Sequence, residues 1–261
     1  MGLLIRKSLL HDRGEKMLLK KWDDLPENMK NDRVRPYYEF LHKKRLSLVA
    51  KRIFDVVVAI LTFIILSPIF IVLCIAIKID SKGPVMFRQI RITQYGKQFR
   101  IFKFRTMVNN ADKIGTQVTT KNDARITIVG KFLRKLRLDE IPQLFNIISG
   151  DMSFVGTRPE VVKYVEKYTD EMMATLLLPA GVTSEASIQY KDEELLLAND
   201  EDADKTYIYE VLPEKMKYNL RSIEKFSFWG DIKIMLRTIS VVFRINTYSN
   251  DLAKDSEVIN M

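Results

Sequence analysis

From Val56 to Ile77 the chain carries no charged residue, and on both sides of this run Lys, Arg, Asp and Glu break up the apolar pattern. As a single helix the run reaches about 33 Å, against a bilayer hydrocarbon core of about 30 Å. Ser67-Pro68 falls near its middle. Proline lacks an N–H and its ring crowds the carbonyl four residues back, here Ile64, so a kink or break is predicted. Lys51 and Arg52 flank the entry and Lys78 and Lys82 the exit. A complete span would put one basic flank on the wrong side of the membrane, against the positive-inside tendency. On residues alone a kinked span and a re-entrant helix–break–helix stand level, with a buried core helix behind both.

Past the Gly83-Pro84 turn the period changes to two. Val85–Thr93 and Gln98–Met107 are predicted as strands of a β-hairpin joined by Gln94–Lys97. Phe99, Ile101, Lys103 and Arg105 share one face of the second strand, so Lys103 and Arg105 can point at the same phosphate. Helical spacing returns in Ile126–Leu136, with Ile126, Val129, Leu133 and Leu136 on one side. A second helix should start near Leu138–Pro142, since proline is tolerated in a first turn, and Pro159 should open a helix over Val161–Thr175. Phe228, Trp229, Ile232, Met235, Leu236, Ile239 and Val242 make a stripe that packs on the core or lies in the membrane interface, core packing being preferred. The fold class is α+β, mainly helical.

Composition narrows the chemistry. Hydrophobic residues are 47% and charged residues 29% of the 261, which suits a packed core rather than global disorder. The net charge of +9 calls for an anionic partner. Residues 82–140 hold 14 Lys and Arg against four acids, so the positive field is local, as a phosphate-rich substrate or lipid headgroup requires. Lys43, Lys44, Arg45, Lys51 and Arg52 suit anionic headgroups, or form an ordinary solvated helix face. The single cysteine, Cys74, excludes an intrachain disulfide. His11 and His42 both precede the apolar run, so a later acid–base site must use other side chains.

Inside the most basic region stand two adjacent carboxylates, Asp139 and Glu140. Neighbouring helical positions point about 100° apart, so the two can serve different tasks. On position alone, compensation of the helix dipole is the leading account of such a pair. The loop Gly150–Glu160 is rich in small residues and carries Arg158, which with backbone N–H groups can meet a phosphate. Neither a Walker A loop nor a GxGxxG is present. Lys191–Asp204 reads as a solvated acidic loop without chemistry.

The order of these features resembles the bacterial sugar transferases, the small monotopic polyprenyl-phosphate hexose-1-phosphate transferases. The resemblance rests on Ser67-Pro68 in the apolar run, Lys103-Phe104-Arg105-Thr106-Met107, Leu133 through Leu144 with Asp139-Glu140 inside it, and Gly150–Glu160. It covers about residues 51–245. It implies that Asp139 attacks the β-phosphorus of a UDP-sugar, releases UMP and becomes an aspartyl phosphosugar, which polyprenyl (undecaprenyl) phosphate then takes. Glu140 would assist the acceptor or share with Asp139 a Mg²⁺ or Mn²⁺ ion, and Arg134 and Arg158 would steady phosphate charge. Ser67-Pro68 becomes a membrane break, which favours the re-entrant reading. The implied setting is the bacterial inner membrane, in contact with phospholipid, the catalytic domain on the cytoplasmic face, at the first membrane step of surface polysaccharide or glycoconjugate synthesis. Nucleic acid is not an expected partner, and oligomeric state stays open, a homo-oligomer included.

Arg137 departs from the family pattern by standing where a Ser is usual, Thr157 by replacing a Pro, and Pro179–Thr183 only loosely matches Pro-Gly-Ile-Thr-Gly. The expected organisation is a polar basic extension (1–50), a membrane helix (51–80), a catalytic domain (81–245) and a tail (246–261). The rival reading is a non-catalytic, membrane-anchored binder of anionic lipid or nucleic acid, or a regulatory subunit of a polysaccharide assembly complex.

Overall fold

A computed structural model describes residues 19–111, 123–190 and 203–241. The tail from 246 and most of the acidic segment lie outside them. Among the described residues, helices predominate and carry two small sheets.

The chain between Leu19 and Lys43 is part of the core. Val34, Tyr37, Tyr38 and Leu41 follow the i, i+3, i+4, i+7 spacing of a helix face. On helix α1 (Arg35–Lys43) and at its N-cap, Val34, they bury against Met173, Leu176, Leu177, Ile223 and Phe226. Over residues 19–43 the charges lie mostly outside while the apolar positions complete the core; residues 1–18 of the expected extension lie outside the described residues.

Helix α2 (Arg45–Asp80) is 36 residues long and is the one described helix long and apolar enough to cross a membrane. It runs on across Pro68 rather than breaking. Pro68 has no N–H for the Ile64 carbonyl, and the Ser67 hydroxyl donates to that oxygen at 2.7 Å instead. Contacts with the domain occur along its length. Near the start, Arg52 donates to the Ile147 and Ile148 carbonyls at 2.6 and 3.1 Å, capping a helix end. Lys51 is buried and donates to the Val155 carbonyl at 2.9 Å and to Asp231 at 2.5 Å. These two cations therefore turn inward, not toward lipid headgroups as expected. Further along, Ala59 packs among Phe99, Leu144 and Ile147, and Leu73 and Ile77 pack with Phe104 and Leu133. The opposite face bares Ile64, Ile65, Val72 and Ile79, the last 82% exposed.

The hairpin forms as the alternation predicts, somewhat shorter: β1 (Met86–Ile92) pairs antiparallel with β2 (Gln98–Phe104), Met86 opposite Phe104. Tyr95 and Gly96 turn it with positive φ. Helix α3 spans Ile128–Lys135, and Thr127 caps it by accepting from the Gly130 N–H at 3.0 Å. A 3₁₀ turn (Leu138–Glu140) leads into α4 (Gln143–Ser149).

Gly150–Glu160 is not all loop. It contains β3 (Met152–Val155), which pairs parallel with β4 (Ala180–Thr183). Gly156 and Gly181 meet back to back behind this pair: a Cβ on Gly181 would stand 2.2 Å from the Gly156 nitrogen. The helix expected over Val161–Thr175 is only one turn, α5 (Val162–Val165), before a 3₁₀ stretch at Met172–Leu177. After β4 come α6 (Glu185–Gln189), α7 (Ala203–Thr206), a π-helical turn (Tyr207–Val211) and α8 (Leu212–Glu224). The last described helix, α9, covers residues 228–241. Phe228 meets the Phe54 ring edge-on at 5.5 Å. Trp229, Leu236 and Ile239 are exposed, which corrects the preference for core packing of this stripe.

Candidate functional site

Asp139 and Glu140 occupy the 3₁₀ turn between α3 and α4. Arg137 just before it is left-handed, at φ 56°, which turns the chain sharply enough to start the dyad on a new axis. The turn is fixed against the hairpin by Asn146, a buried residue of α4. Its Oδ1 accepts from the Phe102 N–H at 2.9 Å and its Nδ2 donates to the Arg100 carbonyl at 2.9 Å. This two-point bond sets the dyad turn against β2, which carries Lys103. Nothing in the spacing of Asn146 signalled that role.

Lys103 Nζ donates to Glu140 Oε1 at 2.8 Å and stands 4.0 Å from Asp139 Oδ2. Arg158 Nη2 donates to the same Glu140 oxygen at 2.8 Å. Charge-assisted bonds from two cations converge on one carboxylate, while Asp139 accepts no hydrogen bond among the described residues. Arg134, in the last turn of α3, is near enough for its charge to act on Asp139.

The two carboxyls consequently titrate apart. Burial pushes Asp139 above its ordinary value; Lys103, Arg137 and Arg134 oppose that rise, and the Glu140 charge adds to it. Burial would raise Glu140 as well, but the charges and bonds of Arg158 and Lys103 outweigh it and hold Glu140 well below the usual carboxylate range. Arg137, in the place of the usual Ser, makes no side-chain cap and contributes charge instead.

Arg105 does not share this site. β2 ends at Phe104, so the alternation that put Arg105 beside Lys103 stops one residue too early. Arg105 instead closes the C-terminal end of α2, donating to the Lys82 carbonyl at 2.9 Å and to the Ser81 carbonyl at 2.6 Å. Gly83 makes room for it, since a Cβ there would lie 2.0 Å from Arg105 Nη1. Ser67 and Pro68 stand on α2, apart from the dyad in sequence and in bonding. Thus Lys103, Asp139, Glu140 and Arg158 come together, Arg134 is close by, and Arg105 is elsewhere. Among the described residues, no group of three or more His, Cys, Asp or Glu side chains is placed to hold a metal ion.

Comparison with known proteins bears on the same stretch of chain. A family model described as bacterial sugar transferase matches residues 46–245. A UDP-glucose:undecaprenyl-phosphate glucose-1-phosphate transferase from Klebsiella pneumoniae is 39% identical over 200 residues, 74% of this chain and 40% of the relative. A UDP-N-acetylgalactosamine-undecaprenyl-phosphate N-acetylgalactosaminephosphotransferase from Aeromonas hydrophila is 34% identical over 226 residues, 85% of this chain and 48% of the relative. A UDP-glucose:undecaprenyl-phosphate glucose-1-phosphate transferase from Caulobacter vibrioides is 33% identical, with 76% of this chain and 72% of the relative aligned. The chain spans less than half the length of the first two. With the dyad, its cations and all but the first residue of the long apolar helix inside the matched residues, the chain belongs to the bacterial sugar transferase family.

Proposed function

We propose that the chain transfers a sugar-1-phosphate from a UDP-sugar to polyprenyl phosphate, undecaprenyl phosphate in bacteria, releasing UMP. The observation that carries this is the division of labour in the dyad. Glu140 holds two cations at its Oε1, whereas Asp139 is buried, accepts no hydrogen bond among the described residues and is pushed up in pKa. A desolvated carboxylate without hydrogen bonds is the better nucleophile of the two.

In the first step an Asp139 oxygen bonds to the β-phosphorus and the bond from that phosphorus to the bridging oxygen breaks. The electron pair leaves with UMP. In the second step an oxygen of polyprenyl phosphate bonds to the same phosphorus, and the Asp139 carboxylate is released. Lys103 and Arg158 offset the repulsion between the carboxylates and the diphosphate, and Arg134 adds to the field. Asp139 and Glu140 are also the side chains that would hold Mg²⁺ or Mn²⁺. Two hard carboxylates fit an ion that completes its shell with phosphate and water, and it would neutralise diphosphate charge.

In this reading α2 lies with both flanks on the cytoplasmic side of the inner membrane. Its support is that Lys51 and Arg52 at one end, and Leu73, Ile77 and Ser81 at the other, all contact the same domain. Ends bound to one domain do not sit on opposite sides of a bilayer. The bare outer face then meets lipid, with the exposed residues of α9 at the interface.

The test is UMP release by detergent-purified protein across UDP-glucose, UDP-galactose, UDP-N-acetylgalactosamine and related sugars, with and without undecaprenyl phosphate and Mg²⁺. One or more sugars should give release, and Asp139→Asn should abolish it while the protein stays in the membrane fraction. Undiminished turnover by that variant would overturn the nucleophile assignment.

A further inference from the structure

Two residues beyond Arg158 the chain turns a carboxylate into the interior. Glu160 is buried, and its Oε1 accepts from the Tyr207 hydroxyl at 2.5 Å. Lys215, also buried, donates to the same Tyr207 oxygen at 3.0 Å and stands 3.7 Å from Glu160 Oε1. The backbone around it is gripped as well. Arg91 Nη1 donates to the Pro159 carbonyl at 3.2 Å, and the Ile92 N–H to the Glu160 carbonyl at 3.0 Å. Before Arg158, the Gly156 N–H donates to the Thr183 carbonyl at 3.0 Å and the Gly181 N–H to the Thr157 carbonyl at 2.8 Å. Arg158 is the apex of a loop tied on one side to β4 and on the other to β1 and the segment 207–215.

Stability alone is a poor reason for this arrangement. An ion pair taken out of water contributes little net stability, and apolar residues of the same shape often do as well. Hydrogen bonds between charged groups do supply direction. Tyr207 also opens the π-helical turn Tyr207–Val211, a rare element that is frequent at functional sites. We infer that Glu160, Tyr207 and Lys215 are positioning residues for Arg158, holding its loop so that the guanidinium meets Glu140 and a substrate phosphate together. This rests on the nucleotide-sugar reading above.

The test uses the purified full-length protein with UDP as the binding probe, measured by calorimetry, and kcat and KM for UMP release. Tyr207→Phe, Arg158→Ala and their double variant form a cycle. Tyr207→Phe should weaken UDP binding and kcat/KM by about tenfold, the scale expected when a phosphate-binding group is slightly misplaced. It should also melt somewhat lower, because buried Glu160 and Lys215 both lose the hydroxyl they share, but the double variant should bind UDP no worse than Arg158→Ala alone. Additive losses, or a Tyr207→Phe protein indistinguishable from wild type, would overturn the inference. A second variant, Glu160→Gln with Lys215→Met, removes both charges of the pair. It should fold and melt normally yet show the same loss; full activity in it would also overturn the positioning role. Wild-type protein that binds no UDP would instead refute the nucleotide-sugar reading, and the positioning role with it.

Discussion

At the dyad, Lys103 from β2, Arg158 from the loop after β3 and the carboxylate of Glu140 meet within hydrogen-bonding distance, with buried Asp139 alongside. Along the outer face of α2, Ile64, Ile65, Val72 and Ile79 stand uncovered, while Lys51 and Asp55 of the same helix are buried. Charge lies inside and aliphatic surface outside, in both places against what water favours. Leaving a large aliphatic side chain in water forfeits about 1.5–3 kcal/mol each. A chain that does this repeatedly along one face is adapted to an apolar medium there. The buried charges differ in kind: Lys51 is fixed on Val155 and Asp231, whereas Asp139 accepts no hydrogen bond among the described residues. The first arrangement builds a scaffold, and the second suits the reactive group proposed for Asp139.

The largest effect should come from reversing the outer face. Ile64→Asp with Ile65→Asp should move the protein out of the membrane fraction in flotation, since an acid on a lipid-facing helix costs up to about 3 kcal/mol. UMP release in detergent should persist. Continued flotation with membranes would show that this face does not meet lipid.

The dyad should respond with opposite signs at its two positions. Asp139 is raised above its ordinary value of 3.8, so its contribution to stability is present below 3.8 and is lost as pH rises through the raised value. Asp139→Asn should therefore melt higher than wild type at pH 7, with the gap closing toward pH 4. Glu140 is held below its ordinary 4.5, so its contribution is present above 4.5 and is lost only as pH falls below it. Glu140→Gln should melt lower at pH 7, by about 2 kcal/mol, because Lys103 and Arg158 lose their shared acceptor. The proposed reaction needs ionised Asp139, so the acid limb of kcat/KM should lie above 3.8, and Lys103→Met should move it higher still. Matching shifts of one sign at both positions would break the distinction between them.

The sequence made the outer face and the dyad legible for separate reasons. The apolar run and the alternation of the hairpin are local patterns, and a local pattern survives folding. Asp139 and Glu140 were conspicuous as acids within a basic region, though dipole compensation was their leading account until the resemblance entered. Arg105 misled because alternation holds only while the strand lasts, and β2 stops at Phe104. The pairing of β3 with β4 escaped because four-residue strands give too short a pattern to read. Glu160 escaped because its partners lie 47 and 55 positions away, and no spacing rule reaches that far. The helix face Val34, Tyr37, Tyr38 and Leu41 was readable, and the surrounding charges hid it.

The smallest effect concerns Ser67-Pro68, where the outer face meets its own backbone problem. In hydrocarbon a carbonyl without a donor costs more than in water, and Pro68 withholds the donor that Ile64 would otherwise have. The Ser67 hydroxyl supplies it at 2.7 Å. Ser67→Ala should therefore lower stability in lipid nanodiscs by about 1 kcal/mol. In a Pro68→Ala background the same change should cost almost nothing, because residue 68 then has an N–H for the Ile64 carbonyl. An equal cost in both backgrounds would mean that the hydroxyl serves some contact other than the missing donor. A cost confined to the proline background would mean that serine and proline act here as one unit, the proline weakening the helix and the serine keeping it continuous.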